Sequence, residues 1–150
     1  MRPPAALLGA FLLALAAPAA AQDGRIRDLV YAPDVVHRID GAFRTATQII
    51  FSPDEAIRHA AVGDSVAWEV AAEGSVLFLK PRERHAQTNL LVVTERAGAE
   101  LRHYAFALDA RATAAAVHQI RFHYPADERI ATQAALAGAA EAAEGRLIGL

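Results

Sequence analysis

Arg102-His103-Tyr104-Ala105-Phe106-Ala107-Leu108 alternates large apolar residues with small or polar ones, and this period of two decides the fold. Successive side chains of an extended strand point to opposite faces, so Tyr104, Phe106 and Leu108 share one face. The pattern repeats on either side. Residues 117–124 place Ile120, Phe122 and Tyr124 together before Pro125, and residues 90–94 form an apolar run that ends at Arg96-Ala97-Gly98. Upstream, residues 76–79 are apolar on both faces, and residues 66–70 align Val66, Trp68 and Val70. Residues 57–62 run into Gly63-Asp64, and residues 45–51 put Thr47, Ile49 and Phe51 on one face before Ser52-Pro53-Asp54. Residues 35–39 end at Asp40-Gly41, which reads as a tight hairpin, and residues 26–31 end at Ala32-Pro33-Asp34.

Short strands with turn formers every ten residues or so, and no helix between them, predict an all-β antiparallel β-sandwich of about nine strands. The doubly apolar runs at 76–79 and 90–94 read as inner strands covered on both sides. Residues 109–116 are a linking loop or one helical turn. From Asp127 the pattern changes to an alanine-rich helix or linker, with Asp127 as its N-cap and Gly138 and Gly145 weakening it.

The remainder of the 150 residues fits one domain. Met1-Arg2-Pro3-Pro4, the apolar run 5–17, Pro18 and Ala19-Ala20-Ala21 read as a cleavable signal peptide over residues 1–21. The β-sandwich then occupies 22–125 and the helical tail 126–150. Export to a periplasm follows. The net charge of −2 supplies no basic surplus for nucleic acid, so no direct nucleic-acid binding is expected. With no cysteine there is no disulfide, thiolate metal site or thiol nucleophile, and Lys80 is the one lysine.

Candidate chemistry is sparse. Gly63-Asp64-Ser65 resembles the opening of a hydrolase nucleophile block, and Asp34-Val35-Val36-His37 offers an Asp-x-x-His. However, the order is wrong for that hydrolase scaffold, and Asp34 and His37 point to opposite faces of a strand. A hairpin turn is the better reading, with Gly63 at positive φ and Asp64 and Ser65 bonding the backbone. His37, His59, His85, His103, His118 and His123 form no ligand-spaced pair. Asp54-Glu55 reads as a turn with its charges in water, and Trp68 reads as core rather than a sugar platform. No catalytic, cofactor-binding or metal-ligating residue is assigned, no cofactor is expected, and the chain is not expected to be an enzyme.

The order of blocks is more specific than any one of them. Arg25-Ile26-Arg27-x-x-Val30-Tyr31-x-Pro33-Asp34 is followed by Thr47-x-Ile49-x-Phe51-x-Pro53-x-Glu55-x-Ile57 and Val62-Gly63-Asp64-Ser65-x-x-Trp68. Next come Leu77-Phe78-Leu79-Lys80-Pro81 and Thr88-Asn89-Leu90-x-Val92-x-Thr94, then Tyr104-x-Phe106-x-Leu108 and Ile120-x-Phe122-x-Tyr124-Pro125. This series resembles the N-terminal domain of TrbG/CagX-type subunits of type IV secretion and conjugal-transfer systems. The resemblance implies an exported β-sandwich in a homo-oligomeric ring of the outer-membrane core complex, peripheral to that membrane. It also implies contact with the periplasm-spanning scaffold subunit. The family continues into a C-terminal β domain that binds a small lipoprotein. This sequence ends at Leu150, inside what would be the linker, so lipoprotein binding is not expected of it. By patterning, Ile49, Phe51, Trp68, Phe78, Phe106 and Phe122 are core, while Gly63, Asp64, Ser65, Lys80, Pro81, Thr88 and Asn89 form turns and junctions. A free-standing periplasmic binding module for a peptide or glycan is the alternative function.

Overall fold

The structure is a computed structural model that describes residues 24–98, 100–111 and 116–148. The signal-peptide reading of 1–21 lies outside them. The described chain forms nine strands and one helix: β1 (Ile26–Val30), β2 (Val36–Ala42), β3 (Thr47–Ile50), β4 (Glu55–Val62), β5 (Trp68–Glu73), β6 (Val76–Pro81), β7 (Thr88–Arg96), β8 (Leu101–Arg111), β9 (Gln119–His123) and α1 (Pro125–Ile148). Two sheets face each other, with strand orders β1-β9-β3-β6-β5 and β2-β8-β7-β4.

The sandwich is as expected, but its sheets are mixed. β9 inserts between β1 and β3 and runs parallel to both, and β2 runs parallel to β8. Parallel partners cannot be joined by a tight turn, so they lie far apart in sequence and leave no local signal. Antiparallel pairs β3/β6, β5/β6, β4/β7 and β7/β8 complete the sheets. The segment 109–111 continues β8 instead of opening a loop, and 112–115 lie outside the described residues.

The inward faces meet in a core that is largely aromatic at one end. Phe51 and Phe122 stack with ring centroids 5.8 Å apart, and Tyr104 packs 4.6 Å from Phe51 and 5.0 Å from Phe122. Ile39, Ile49, Leu79, Leu90, Phe106 and Leu108 are fully buried beside them. Each such side chain stabilises the fold by roughly 1.5–3 kcal/mol. β2 passes across the facing sheet: His37 packs on Phe122 of β9, and four residues later Gly41 lies against Trp68 and Pro81. A Cβ on Gly41 would come within 2.7 Å of the Trp68 ring, so this glycine admits the indole. Asp40-Gly41 is therefore strand and not a hairpin. The reversal comes later, at Arg44, which takes φ 65° itself.

Two further expectations change. Phe78 is 41% exposed and Leu91 49%, so β6 and β7 are each covered on one face only. Gly63 has no positive φ among the described residues; its Cβ would lie 2.6 Å from both the Thr88 hydroxyl and the Asn89 side-chain oxygen. Gly74 (φ 57°) supplies the left-handed turn residue between β5 and β6.

The helix forms because Pro125 presets the first helical φ, Asp127 and Glu128 oppose the positive end of the helix dipole, and alanine dominates the rest. Its first bond runs from the Glu128 N–H to the Tyr124 carbonyl, so Tyr124 occupies the cap position and Asp127 lies inside the first turn. Ile130 and Leu136 are 65% and 67% exposed. At 1.5 Å per residue, α1 extends about 36 Å from the end of the sandwich.

Candidate functional site: the root of the C-terminal helix

Glu55 opens β4 beneath the point where α1 leaves the sandwich, and it is buried. Its carboxylate accepts hydrogen bonds from the Thr94 hydroxyl (2.6 Å), the Tyr104 hydroxyl (2.8 Å) and the Arg102 guanidinium (2.8 Å). The expectation of a solvated turn charge at Glu55 is thus corrected. A buried carboxylate is tolerated where its lone pairs are filled, and three donors from β7 and β8 fill these.

Arg102 carries the cluster to the helix. Its guanidinium lies over the adjoining rings of Tyr31 and Tyr124, 5.1 and 4.7 Å from their centroids, and donates to Asp127 of α1 at 2.6 Å. Burial pulls this guanidinium's pKa down. The Asp127 hydrogen bond and the Glu55 charge outweigh that, and the net direction is up. Arg96 grips the same carboxylate at 3.2 Å and Asp54 at 2.7 Å. The hydroxyls of Tyr104 and Tyr124 are 2.9 Å apart, and the Tyr124 oxygen also accepts the Ser52 N–H. With one proton each, the hydroxyls order as Tyr124 donating to Tyr104 and Tyr104 donating to Glu55. Burial, first among the causes, raises both phenols, Tyr124 to about 12.

Beside this clamp opens a cleft of about 630 Å³. Ile50, Phe51, Pro53 and Phe122 form its apolar side, and α1 contributes Asp127, Glu128 and Ala131.

The residues singled out from the sequence lie elsewhere. Asp64 caps the turn before β5, accepting from the N–H groups of Val66 (3.0 Å) and Ala67 (2.9 Å), and its other oxygen lies 2.6 Å from His85 Nδ1. His85 Nε2 is 3.2 Å from Glu83. Asp64 raises the His85 pKa above the ordinary value, and the Ala67 amide, followed by His85, lowers that of Asp64. Ser65 is exposed in this turn, whereas His37 packs against Phe106 and Phe122 on other elements. The structure does not bring Ser65, Asp34 and His37 together as a site. Trp68 is buried as expected. Among the described residues no group of three or more His, Asp or Glu side chains is arranged to hold a metal ion. No described helix is long and apolar enough to cross a membrane. The missed cluster had one sequence signal: Tyr104 and Arg102 occupy inward positions of the same strand, a placement that requires buried partners.

The polar cluster at Glu55, Arg102 and Asp127 joins a two-sheet β-sandwich to its projecting helix. A family model described as CagX, conjugal transfer protein, matches residues 24–146. The type IV secretion system protein virB9 of Bartonella quintana is 41% identical over 139 residues, covering 89% of this chain and 47% of that protein. The protein of the same description from Bartonella henselae is 40% identical over 130 residues, covering 83% and 44%. Protein virB9 of Agrobacterium fabrum is 30% identical over 120 residues, covering 75% and 41%. The chain belongs to the CagX conjugal-transfer family, and it is similar to the virB9 proteins of type IV secretion systems. It spans about half the length of the curated relatives it matches.

Proposed function

We propose that this chain is a ring-forming assembly subunit of a type IV secretion core complex, exported by residues 1–21 and packed beside a periplasm-spanning scaffold subunit. The observation that carries this reading is the family match, which runs through the whole sandwich and most of α1. The fold is compatible with side-by-side packing, because it leaves apolar side chains on its surface: Val30, Val35, Val36 and Leu91 are between 44% and 65% exposed. Heterologous contacts between such patches close into rings when the rotation per copy allows it. The mature chain begins at Gln22 in this reading, lies at the periplasmic side of the outer membrane, and works without a cofactor.

The test is native mass of the exported protein, alone and with the scaffold subunit encoded nearby, together with the N-terminal residue of the exported form. A ring-sized assembly or a stable complex, with Gln22 at the N-terminus, is the expected result. A monomer that ignores the scaffold would instead fit a free-standing binding module for a peptide or glycan.

A further inference from the structure

We propose that the cleft at the root of α1 docks an extended segment of another protein, one that carries a bulky apolar side chain beside an arginine or lysine. The volume of about 630 Å³ lies within the range of sites that enclose a small ligand or a few residues of a peptide. Ile50 and Pro53 give it an apolar floor, and Phe51 and Phe122 line it while turning their rings into the core.

The rim decides the sign of the partner. Arg96 is held by Asp54 and Asp127, and Arg121 and His123 both reach Asp28. The cationic groups at the cleft are therefore matched within the chain. Glu128 is exposed on the α1 wall and has no side-chain partner among the described residues. A ligand that fills the apolar floor brings its flanking residue past this carboxylate, and a guanidinium or ammonium there gains an ion pair that a carboxylate would lose. Charge at a rim sets partner choice and approach more than raw affinity.

The wall is also formed before any ligand arrives. Asp127, one residue from Glu128, is held by Arg102 at 2.6 Å and Arg96 at 3.2 Å, which anchors the first turn of α1 to the sandwich. Preorganisation of this kind lowers the ordering cost of association. The inference concerns one docking surface and does not depend on ring formation, so a monomeric chain can be tested equally well.

The test titrates the isotope-labelled full chain with N-acetyl-phenylalanyl-arginine amide, and separately with N-acetyl-phenylalanyl-glutamate amide, following backbone amide NMR shifts. The expected result is saturable shifts centred on Phe122, Tyr124, Glu128 and Ala131 with the arginine peptide, and binding about fivefold or more weaker with the glutamate peptide. Glu128→Gln is expected to erase that preference, and Ala131→Trp to abolish both responses by filling the cleft. Both positions are on the exposed helix surface, so the variants retain the fold, which a thermal melt checks. Equal binding of the two peptides, shifts scattered elsewhere, or no shift would overturn the proposal. So would shifts at these four residues that grow with protein concentration alone, since a second copy would then be the occupant.

Discussion

Arg102 is 4% exposed and bonds two acids that belong to different parts of the chain, Glu55 of β4 and Asp127 of α1. Removing it leaves Glu55 buried with its charge uncompensated, so Arg102→Met should destabilise the sandwich by about 3–5 kcal/mol in urea denaturation. Arg38→Ala, which breaks only exposed pairs with Asp40 and Asp109, should change stability by less than about 1 kcal/mol. This difference was hidden in the sequence. Asp54-Glu55 after Pro53 has the composition of a solvated turn, and only the return of β8 across β7 places Arg102 and Tyr104 over Glu55. Gly41 was misread for a related reason: Asp-Gly signals a turn, yet here the missing side chain makes room for Trp68. His85 gives a prediction in pH. Its folded pKa is raised by Asp64 and Glu83 above the 6.5 of an unperturbed histidine, so the tie between the 82–87 loop and the turn before β5 is fully present below that value. It is lost as pH rises through the folded pKa. An NMR titration should find the His85 midpoint above 6.5, and Asp64→Asn should bring it down towards 6.5.

At the scale of elements, the strands were legible wherever one face is buried and the other wet. Tyr104, Phe106 and Leu108 of β8, and Ile120 and Phe122 of β9, are buried as their spacing requires. Where two apolar residues adjoin, alternation no longer says which one faces in. In β6 the register puts Leu77 and Leu79 inside and Phe78 outside, beside Gln48 and Ala71. The two phenylalanines should therefore respond differently. Phe106→Ala should cost about 3–5 kcal/mol by opening a cavity, whereas Phe78→Ser should cost less than about 1 kcal/mol, both read from urea midpoints. A large loss at Phe78 would mean that its face of the sheet is covered in solution. Strand pairing was less legible than strand identity. The hairpins β5/β6 and β7/β8 follow from their glycine turns, but β1 and β9 meet across almost the whole domain. The β4 edge shows a device that no motif announces: a register shift at Arg58, whose side chain pairs with Glu95, distorts the edge against further strand addition.

At the scale of the molecule, one short contact joins two parts with different stability. The sandwich is closed around its own core, while α1 is fixed at Asp127 and exposed beyond it, with Ile130 and Leu136 in solvent. An alanine-rich helix of this length is favoured by propensity, but Gly138 and Gly145 each cost it about 1 kcal/mol and no packing offsets them. The sequence already implied this, because its large apolar residues form no continuous stripe. What it did not show was the clamp that sets the direction of the helix. The described contacts therefore predict a division of stability. A chain ending after Ala131 retains Asp127, Glu128 and every contact of the root, so its urea midpoint should match that of the intact chain to within about 0.5 kcal/mol. In the intact chain, amides from Ala134 onward should exchange with solvent through local opening, far faster than those of β7 and β8. Asp127→Asn should then lower stability more than the loss of all the later residues, because one charged hydrogen bond to a buried guanidinium outweighs several exposed helical turns. If the truncation were the more costly change, α1 would have to be packed against a surface in solution, on its own sandwich or on a second copy. Hydrogen exchange in a dilution series separates those cases, since only protection by a second copy falls with concentration.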